Sequence, residues 1–306
     1  MPDAAPRRSL LAPHLALAGA QISFGLVGVF GQIVFQPGGL SPLAVGAWRL
    51  TAGAAIILAI AVTWYRRRAL PARADLPRFV VAAALGVALN QWFFLEGLSR
   101  STPINAALIM CLIPVFTVAL ATAVGLERFS IVRLAGVCIA LAGTLALILD
   151  RGLTTLGTHG VGNLLMVTNA LFYSGFLIVT KPLLRRYPPL VVLAWAYTLS
   201  LVFVPVFAWG ERLTPEAGHV SAWWALGFII LFPTVLSYIL NVFALSRVSA
   251  STTAIYIYAQ PLIAALASWV AFRERPTPAM LLAAPALFVG IRLVSRPAPE
   301  PAREVA

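Results

Sequence analysis

Apolar stretches of about twenty residues follow one another along nearly the whole chain, at roughly 14–35, 43–64, 77–98, 103–124, 131–149, 161–184, 190–209, 220–245, 250–272 and 278–294. As helices, each is long enough, or nearly so, to cross about 30 Å of hydrocarbon. Composition agrees: 60% of the 306 residues are hydrophobic and 10% charged, against about a quarter charged in ordinary soluble domains. This is a membrane protein.

The pattern resolves into two copies of one unit. Leu98-Ser99-Arg100, Pro114 and Glu127-Arg128 return as Leu245-Ser246-Arg247, Pro261 and Glu274-Arg275, each displaced by 147 residues (245 − 98, 261 − 114, 274 − 127). At that offset Pro42-Leu43 falls on Pro189-Leu190, Ala47-Trp48 on Ala194-Trp195, Gly28 on Gly175 and Gly143 on Gly290. Register held by such landmarks over some 130 residues marks an internal repeat, although identity between the copies is low. The copies span 14–149 and 161–296, five helices each, after a short N-terminal segment, 1–13. The tail 297–306, rich in Pro and charge, is expected to be disordered.

Turn residues separate the helices: Pro37-Gly38-Gly39, Pro71 to Pro77, Pro188-Pro189 and Pro276-Thr277-Pro278. With the N-terminus inside, 16 of the 22 Lys and Arg fall on the cytoplasmic side, and Arg49, Arg100, Arg151, Arg212, Arg273 and Arg275 on the other. That is the positive-inside distribution. Because five is odd, the second copy enters the bilayer upside down. The expected fold class is therefore an all-α membrane protein of ten transmembrane helices in two inverted five-helix repeats. Both termini would be cytoplasmic. Inverted repeats are a transporter architecture, with the solute near midplane where the halves meet.

The formal net charge of +12 raises the question of nucleic acid. The basic residues, however, cluster at the edges of apolar stretches, as in Arg66-Arg67-Arg68 and Arg185-Arg186, with no basic stripe interleaved with aromatics. Anionic headgroups and topology account for them, and no nucleic-acid partner is expected. Cys111 and Cys138 lie inside apolar runs without metal-ligand spacing and read as small apolar fillers. Arg7-Arg8 before an apolar run imitates a signal peptide, but the run continues through Phe35 without a small-x-small cleavage site. It is read as the first span.

With these residues in hand, the chain resembles an EamA-type member of the drug/metabolite transporter superfamily. Asn90-Gln91, Leu98-Ser99-Arg100 and Asn105-Ala106-Ala107 match the family's third-to-fourth-helix stretch. Pro114, Pro261, Gly125-Leu126-Glu127-Arg128 and Arg273-Glu274-Arg275 match its helix-four and helix-five signature. The resemblance implies a ten-helix inner-membrane permease, commonly an exporter of amino acids, other metabolites or drugs. Many relatives carry Glu before the helix-four proline, where this chain has Ile113 and Gln260, so a coupling role for that carboxylate does not carry over.

Several residues are candidates for the pathway. Glu96 is the one carboxylate well inside a span, and Arg49 lies at similar depth in the second helix; an ion pair between them would be structural or would form a gate or proton-coupling site. Pro114 and Pro261 each leave a backbone carbonyl without its usual donor, which bends a helix or builds a gate. Thr252, Tyr256 and Gln260 form a stripe at four-residue spacing on the ninth helix, serving inter-helix hydrogen bonds or the solute. Gln21 on the first helix, Asn90, Gln91 and Trp92 on the third, Asn169 and Tyr173 on the sixth, and Ser237 and Asn241 on the eighth complete a polar and aromatic ring. Leu287 on the tenth helix is expected to face lipid, and Glu127-Arg128 and Glu274-Arg275 to cap helix ends.

No enzyme motif or metal-spaced cluster appears, so no cofactor or metal is expected. The expected activity is secondary transport, as an exporter, of a small amino acid-like, uncharged or zwitterionic solute or drug by alternating access. Protons are the candidate coupling ion, and the lipid bilayer is the other partner. The rival class is a non-transporting membrane protein, such as a lipid-modifying enzyme or an assembly partner.

Overall fold

The computed structural model describes residues 11–66, 70–100, 109–150, 160–272 and 278–295. The tail 297–306, the Glu274-Arg275 pair and most of the segment joining the two copies lie outside the described residues. Every regular element among the described residues is helical. The first copy contributes α1 (Leu11–Gly25, continued as Val27–Val34), α2 (Pro42–Tyr65), α3 (Leu76–Ala83 and Leu89–Ser99, joined by a π segment Ala84–Ala88), α4 (Leu112–Ala123) and α5 (Ile131–Asp150). The second contributes α6 (Gly160–Leu183), α7 (Pro189–Ser200, then a 3-10 turn Leu201–Phe203 and Val204–Ala208) and α8 (Val220–Ile229 and Ser237–Leu245, joined by a π segment Ile230–Leu236). It ends with α9 (Ala250–Ile255 and Ala259–Phe272, joined by a 3-10 turn Tyr256–Tyr258) and α10 (Pro278–Val294).

Among the described residues, five helices are long and apolar enough to cross a membrane: Pro42–Tyr65, Arg73–Leu98, Gly160–Leu183, Pro189–Ala208 and Val220–Leu245. Leu112–Ala123, Ile131–Gly143 and Ala284–Val294 are shorter apolar helices.

Local chemistry sets the helix ends. Ser41 caps α2 by accepting the Ala44 amide at 3.1 Å, with Pro42 at the first helical position; Ser249 accepts the Thr252 amide at 3.0 Å and starts α9. Gly125, at φ +68°, closes α4: its amide bonds Thr122 O at 3.0 Å and the Leu126 amide bonds Ala121 O at 2.8 Å. This is the paired bonding of a Schellman motif, and the left-handed residue it requires favours glycine.

The helices pair in a pattern that repeats. α1 packs along α8 and α9, as α6 packs along α3 and α4; α2 lies against α7, and α5 against α10. In the last pair a Cβ on Gly290 would stand 2.7 Å from Gly136 O, so the two backbones touch directly. Apolar lipid provides no hydrophobic drive between helices, and close packing of this kind holds them. Leu50, Ile57, Phe79, Leu177 and Leu193 lie at the centre of the largest core. Trp64, Trp209 and Trp224 are exposed at helix ends, where an indole suits the membrane–water boundary. Leu287 corrects an expectation. It is 4% exposed and packs in the core formed with α1, α4, α5, α8 and α9, because α10 is covered along that side by α5.

The 147-residue register extends to backbone irregularities. The π segment of α3, shifted by 147, falls within that of α8. A turn at Cys111 precedes Pro114, and the 3-10 turn Tyr256–Tyr258, which contains the position 147 after Cys111, precedes Pro261. Each break lies within the turn whose hydrogen bond the following proline removes.

Candidate functional site

A cavity of about 140 Å³ takes its walls from both copies. Gln21, Phe24 and Val27 of α1, Arg49 of α2, Asn90, Gln91 and Phe94 of α3, and Met110 and Ile113 at the start of α4 come from the first. Asn169 and Tyr173 of α6, Tyr238 of α8, and Ile257 and Gln260 of α9 come from the second. Among the described residues, Arg49 is the one formally charged side chain of this lining, and none of the lining residues is a carboxylate.

The irregular backbone places these side chains. In α8, Pro233 has no amide hydrogen for the carbonyl of Ile229, four residues back. The Thr234 hydroxyl donates to that carbonyl at 2.8 Å instead. The Thr234 hydroxyl oxygen in turn accepts the Arg49 Nε–H at 2.9 Å. At the corresponding place in α3, a Cβ on Gly86 would stand 2.1 Å from the Phe176 ring, and the Gly86 carbonyl accepts the Tyr238 hydroxyl at 3.3 Å. Asn90 and Gln91 lie two and three residues after the π segment of α3, and Tyr238 two residues after that of α8.

The amides join helices across the cavity wall. Asn169 Nδ2 donates to Asn90 O at 2.6 Å, and Asn90 Nδ2 donates to Asn169 O at 3.4 Å. Gln91 Nε2 donates to Gly46 O at 2.8 Å, and Gln260 Nε2 to Gln21 Oε1 at 2.7 Å. Asn241 stands behind the wall, donating to the Tyr173 hydroxyl at 2.6 Å.

Six of the eleven residues expected to bind solute therefore meet in the cavity: Gln21, Asn90, Gln91, Asn169, Tyr173 and Gln260. Ser237 instead donates to Ala20 O at 3.2 Å, and Thr252 joins the Ser249 cap. Trp92, edge-to-face with Phe93, is absent from the lining because three consecutive helical residues cannot share one face. The Thr252–Tyr256–Gln260 stripe assumes an unbroken α-helix. The 3-10 turn advances more per residue, and Tyr256 faces His14, with its hydroxyl 2.6 Å from Nδ1.

The expected Arg49–Glu96 ion pair is not formed. Glu96 bonds Arg100, one turn along the same helix, at 2.8 Å, a contact that needs no reach across the bundle. Tyr238, Phe24 and Phe94 are cavity residues that sequence reasoning missed. The repeat could have found Tyr238, which lies 147 residues after Gln91.

Contacts between helices tie both ends of the bundle, most of them joining one copy to the other. At the end rich in Arg and Lys, Lys181 of α6 donates to the carbonyls of Leu245 and Val248 at and just beyond the end of α8, within the second copy. Glu127 accepts the Ser251 amide in the first turn of α9 at 3.1 Å and bonds Arg133 at 3.0 Å. It thus caps a helix of the other copy. Buried Asp75 takes Arg186 at 2.5 Å and the Tyr187 hydroxyl at 2.6 Å. At the opposite end the segment after α7 docks on the α1–α2 turn: Ser41 donates to Glu211 at 2.5 Å, the Glu216 amide to Gly38 O at 2.8 Å and the Trp48 indole to Leu213 O at 2.7 Å.

Comparison with known proteins gives one family. The model of the EamA-like transporter family matches twice, at residues 11–149 and 160–296. The chain is 24% identical to an uncharacterised transporter of Bacillus subtilis, over 84% of this chain and 85% of the relative. It is 27% identical to a probable terminal-alkyne amino-acid exporter of Streptantibioticus cattleyicolor, over 81% of this chain and 82% of the relative. A solved crystal structure superposes with a TM-score of 0.79 at 19% identity, covering 94% of this chain and 98% of that one, a likeness of fold. This chain is a multi-pass membrane protein and belongs to the EamA-like transporter family.

Proposed function

We propose that the protein is a secondary transporter that exports a small organic solute by alternating access, with the solute held in the cavity between the copies. The observation that carries this is the cavity: polar side chains from both copies converge on one space, and hydrogen bonds between the copies tie the bundle together toward each of its ends. Amides, phenols and a guanidinium supply donors and acceptors, and Phe24, Phe94 and Ile257 supply apolar wall. A relative named as an amino-acid exporter supports an amino acid-like solute.

In this reading ten spans form two inverted repeats, with 14–149 and 161–296 as the units and both termini in the cytoplasm of the inner membrane. Lys181 and Glu127 then form the cytoplasmic latch, and the backbone breaks before Pro114 and Pro261 are the flexures about which it opens. Protons remain the candidate coupling ion, with Glu96 and its partner Arg100 as one place to look.

Filling the cavity tests the site. Ile113→Trp should abolish solute transport in proteoliposomes while leaving membrane abundance near normal; unchanged transport would place the pathway elsewhere. Orientation is tested separately by cysteine labelling of intact cells. A cysteine at 155 should react from outside, and one at 303 should not.

A further inference from the structure

We infer that Arg49 is a carboxylate anchor and that the side-chain carbonyls of Asn90, Gln91 and Asn169 receive a protonated amine, so that the solute is a zwitterion with an apolar body. This rests on the transporter reading and deepens it.

The orientation of the three amides is fixed by their partners. Each places its NH2 against a backbone carbonyl: Asn90 on Asn169 O, Asn169 on Asn90 O, and Gln91 on Gly46 O. A carbonyl oxygen only accepts, so a flipped amide would set two acceptors face to face. The side-chain oxygens Asn90 Oδ1, Gln91 Oε1 and Asn169 Oδ1 are left over. Among the described residues none of the three takes a donor, and none is sealed off from solvent. All three residues line the cavity. Three acceptors match the three hydrogens of an ammonium group.

Arg49 supplies the opposite sign. Its Nε is spent on Thr234. Its two terminal amino groups have no hydrogen-bond partner among the described residues and are not sealed off. No carboxylate of the described residues lies within ion-pair distance of Arg49. A guanidinium inside a membrane protein is costly unless an anion meets it. The two free amino groups form the fork that takes both oxygens of a carboxylate. A solute lacking the carboxylate leaves that charge unmatched, and one lacking the amine leaves three acceptors dry. Phe24, Phe94, Ile113 and Ile257 receive the remainder.

The test uses the purified full chain in liposomes with labelled L-leucine, competed by L-leucinamide, 4-methylpentanoate and 3-methylbutylamine. Leucine should compete at concentrations roughly tenfold or more below each truncated analogue, since each leaves charged or polar groups unpaired. Arg49→Gln should raise the leucine KM by roughly 10- to 100-fold with a smaller change in maximal rate, and should erase the preference for leucine over leucinamide. Arg49→Lys, which keeps the charge and loses the fork, should recover part of that preference. Melting in detergent shows whether the variants fold, and the analogue series on the unmodified protein decides without them. A preference for leucinamide or 3-methylbutylamine in the unmodified protein, or an intact preference for leucine in Arg49→Gln, overturns the inference. If none of the four is carried but another solute is, and Ile113→Trp blocks it, the transporter reading stands and this one falls. If Ile113→Trp blocks nothing, the cavity reading falls.

Discussion

Equivalent positions of the two copies surround the cavity with different chemistry. Asn90 and Gln91 of α3 lie 147 residues before Ser237 and Tyr238 of α8, and Met110 and Ile113 lie 147 before Ile257 and Gln260. Arg49 corresponds to Ala196, and Gly86 to Pro233. The backbone irregularities, by contrast, recur at the same register: a π segment in α3 and α8, and a break before Pro114 and Pro261. On the alternating-access reading proposed above, a fold that opens in turn at its two ends needs similar joints in both halves. A site that must recognise one solute needs unlike walls, and the side chains have diverged accordingly.

The largest expected contrast separates Gly86 from Pro233. Gly86→Ala places a methyl 2.1 Å from the ring of Phe176, a side chain buried at 2% exposure, so it should destabilise the protein by about 1–3 kcal/mol and lower its melting temperature in detergent. Pro233→Ala leaves the Thr234–Ile229 bond available and should have a much smaller effect. Equal losses would mean that the two π segments are held in the same way.

Next is the asymmetry between the ends. Lys181→Met leaves the Leu245 and Val248 carbonyls at the C-terminus of α8 without their donor, at roughly 1–3 kcal/mol for each unsatisfied group. In a Cys138→Ser background, a cysteine replacing Ile257 should then react several-fold faster with a thiol reagent applied from that end. An unchanged rate would show that Glu127 and Asp75 hold the closure alone.

An exchange across the repeat should give a milder result. Gln260→Ile removes the donor to Gln21 Oε1 and should raise KM by roughly fivefold, about 1 kcal/mol. Ile113→Gln, the reciprocal change, should do less, and an equal effect would make the two walls interchangeable. The smallest effect belongs to Glu216. Its hydrogen bond to Arg212 holds its carboxyl below the usual carboxylate range. Any stability this gives is present above the ordinary carboxylate pKa and is lost as pH falls through the depressed one. Glu216 is fully exposed, so Glu216→Gln should leave the neutral-pH melting temperature unchanged and alter at most the acid limb of a melting-versus-pH curve.

Much of the fold was legible because periodicity and punctuation are local. Pro42, Pro189 and Pro278 start helices at the turns read from the sequence. Polar residues deep in apolar runs, such as Gln21 and Asn169, reached the cavity because lipid offers them nothing. What failed was rotation and partner choice. A 3-10 turn that spacing does not reveal swung Tyr256 to His14, and the nearest partner for Glu96 lay on its own helix. The role of Arg49 depends on Thr234, 185 residues away, and becomes visible once a proline has opened α8 beside it.

The Asn90–Asn169 pair has a consequence for biogenesis. α3 is synthesised long before α6, yet each asparagine satisfies its amide on the other's backbone carbonyl. Until the sixth helix arrives, the third keeps an unanswered carboxamide in the bilayer, and the Ser237 hydroxyl of α8 later reaches back to Ala20 O of α1. The first copy therefore completes these hydrogen bonds only when helices of the second have been made. Its polar residues act as placeholders, and the helices that pack together at the end belong to different stages of translation.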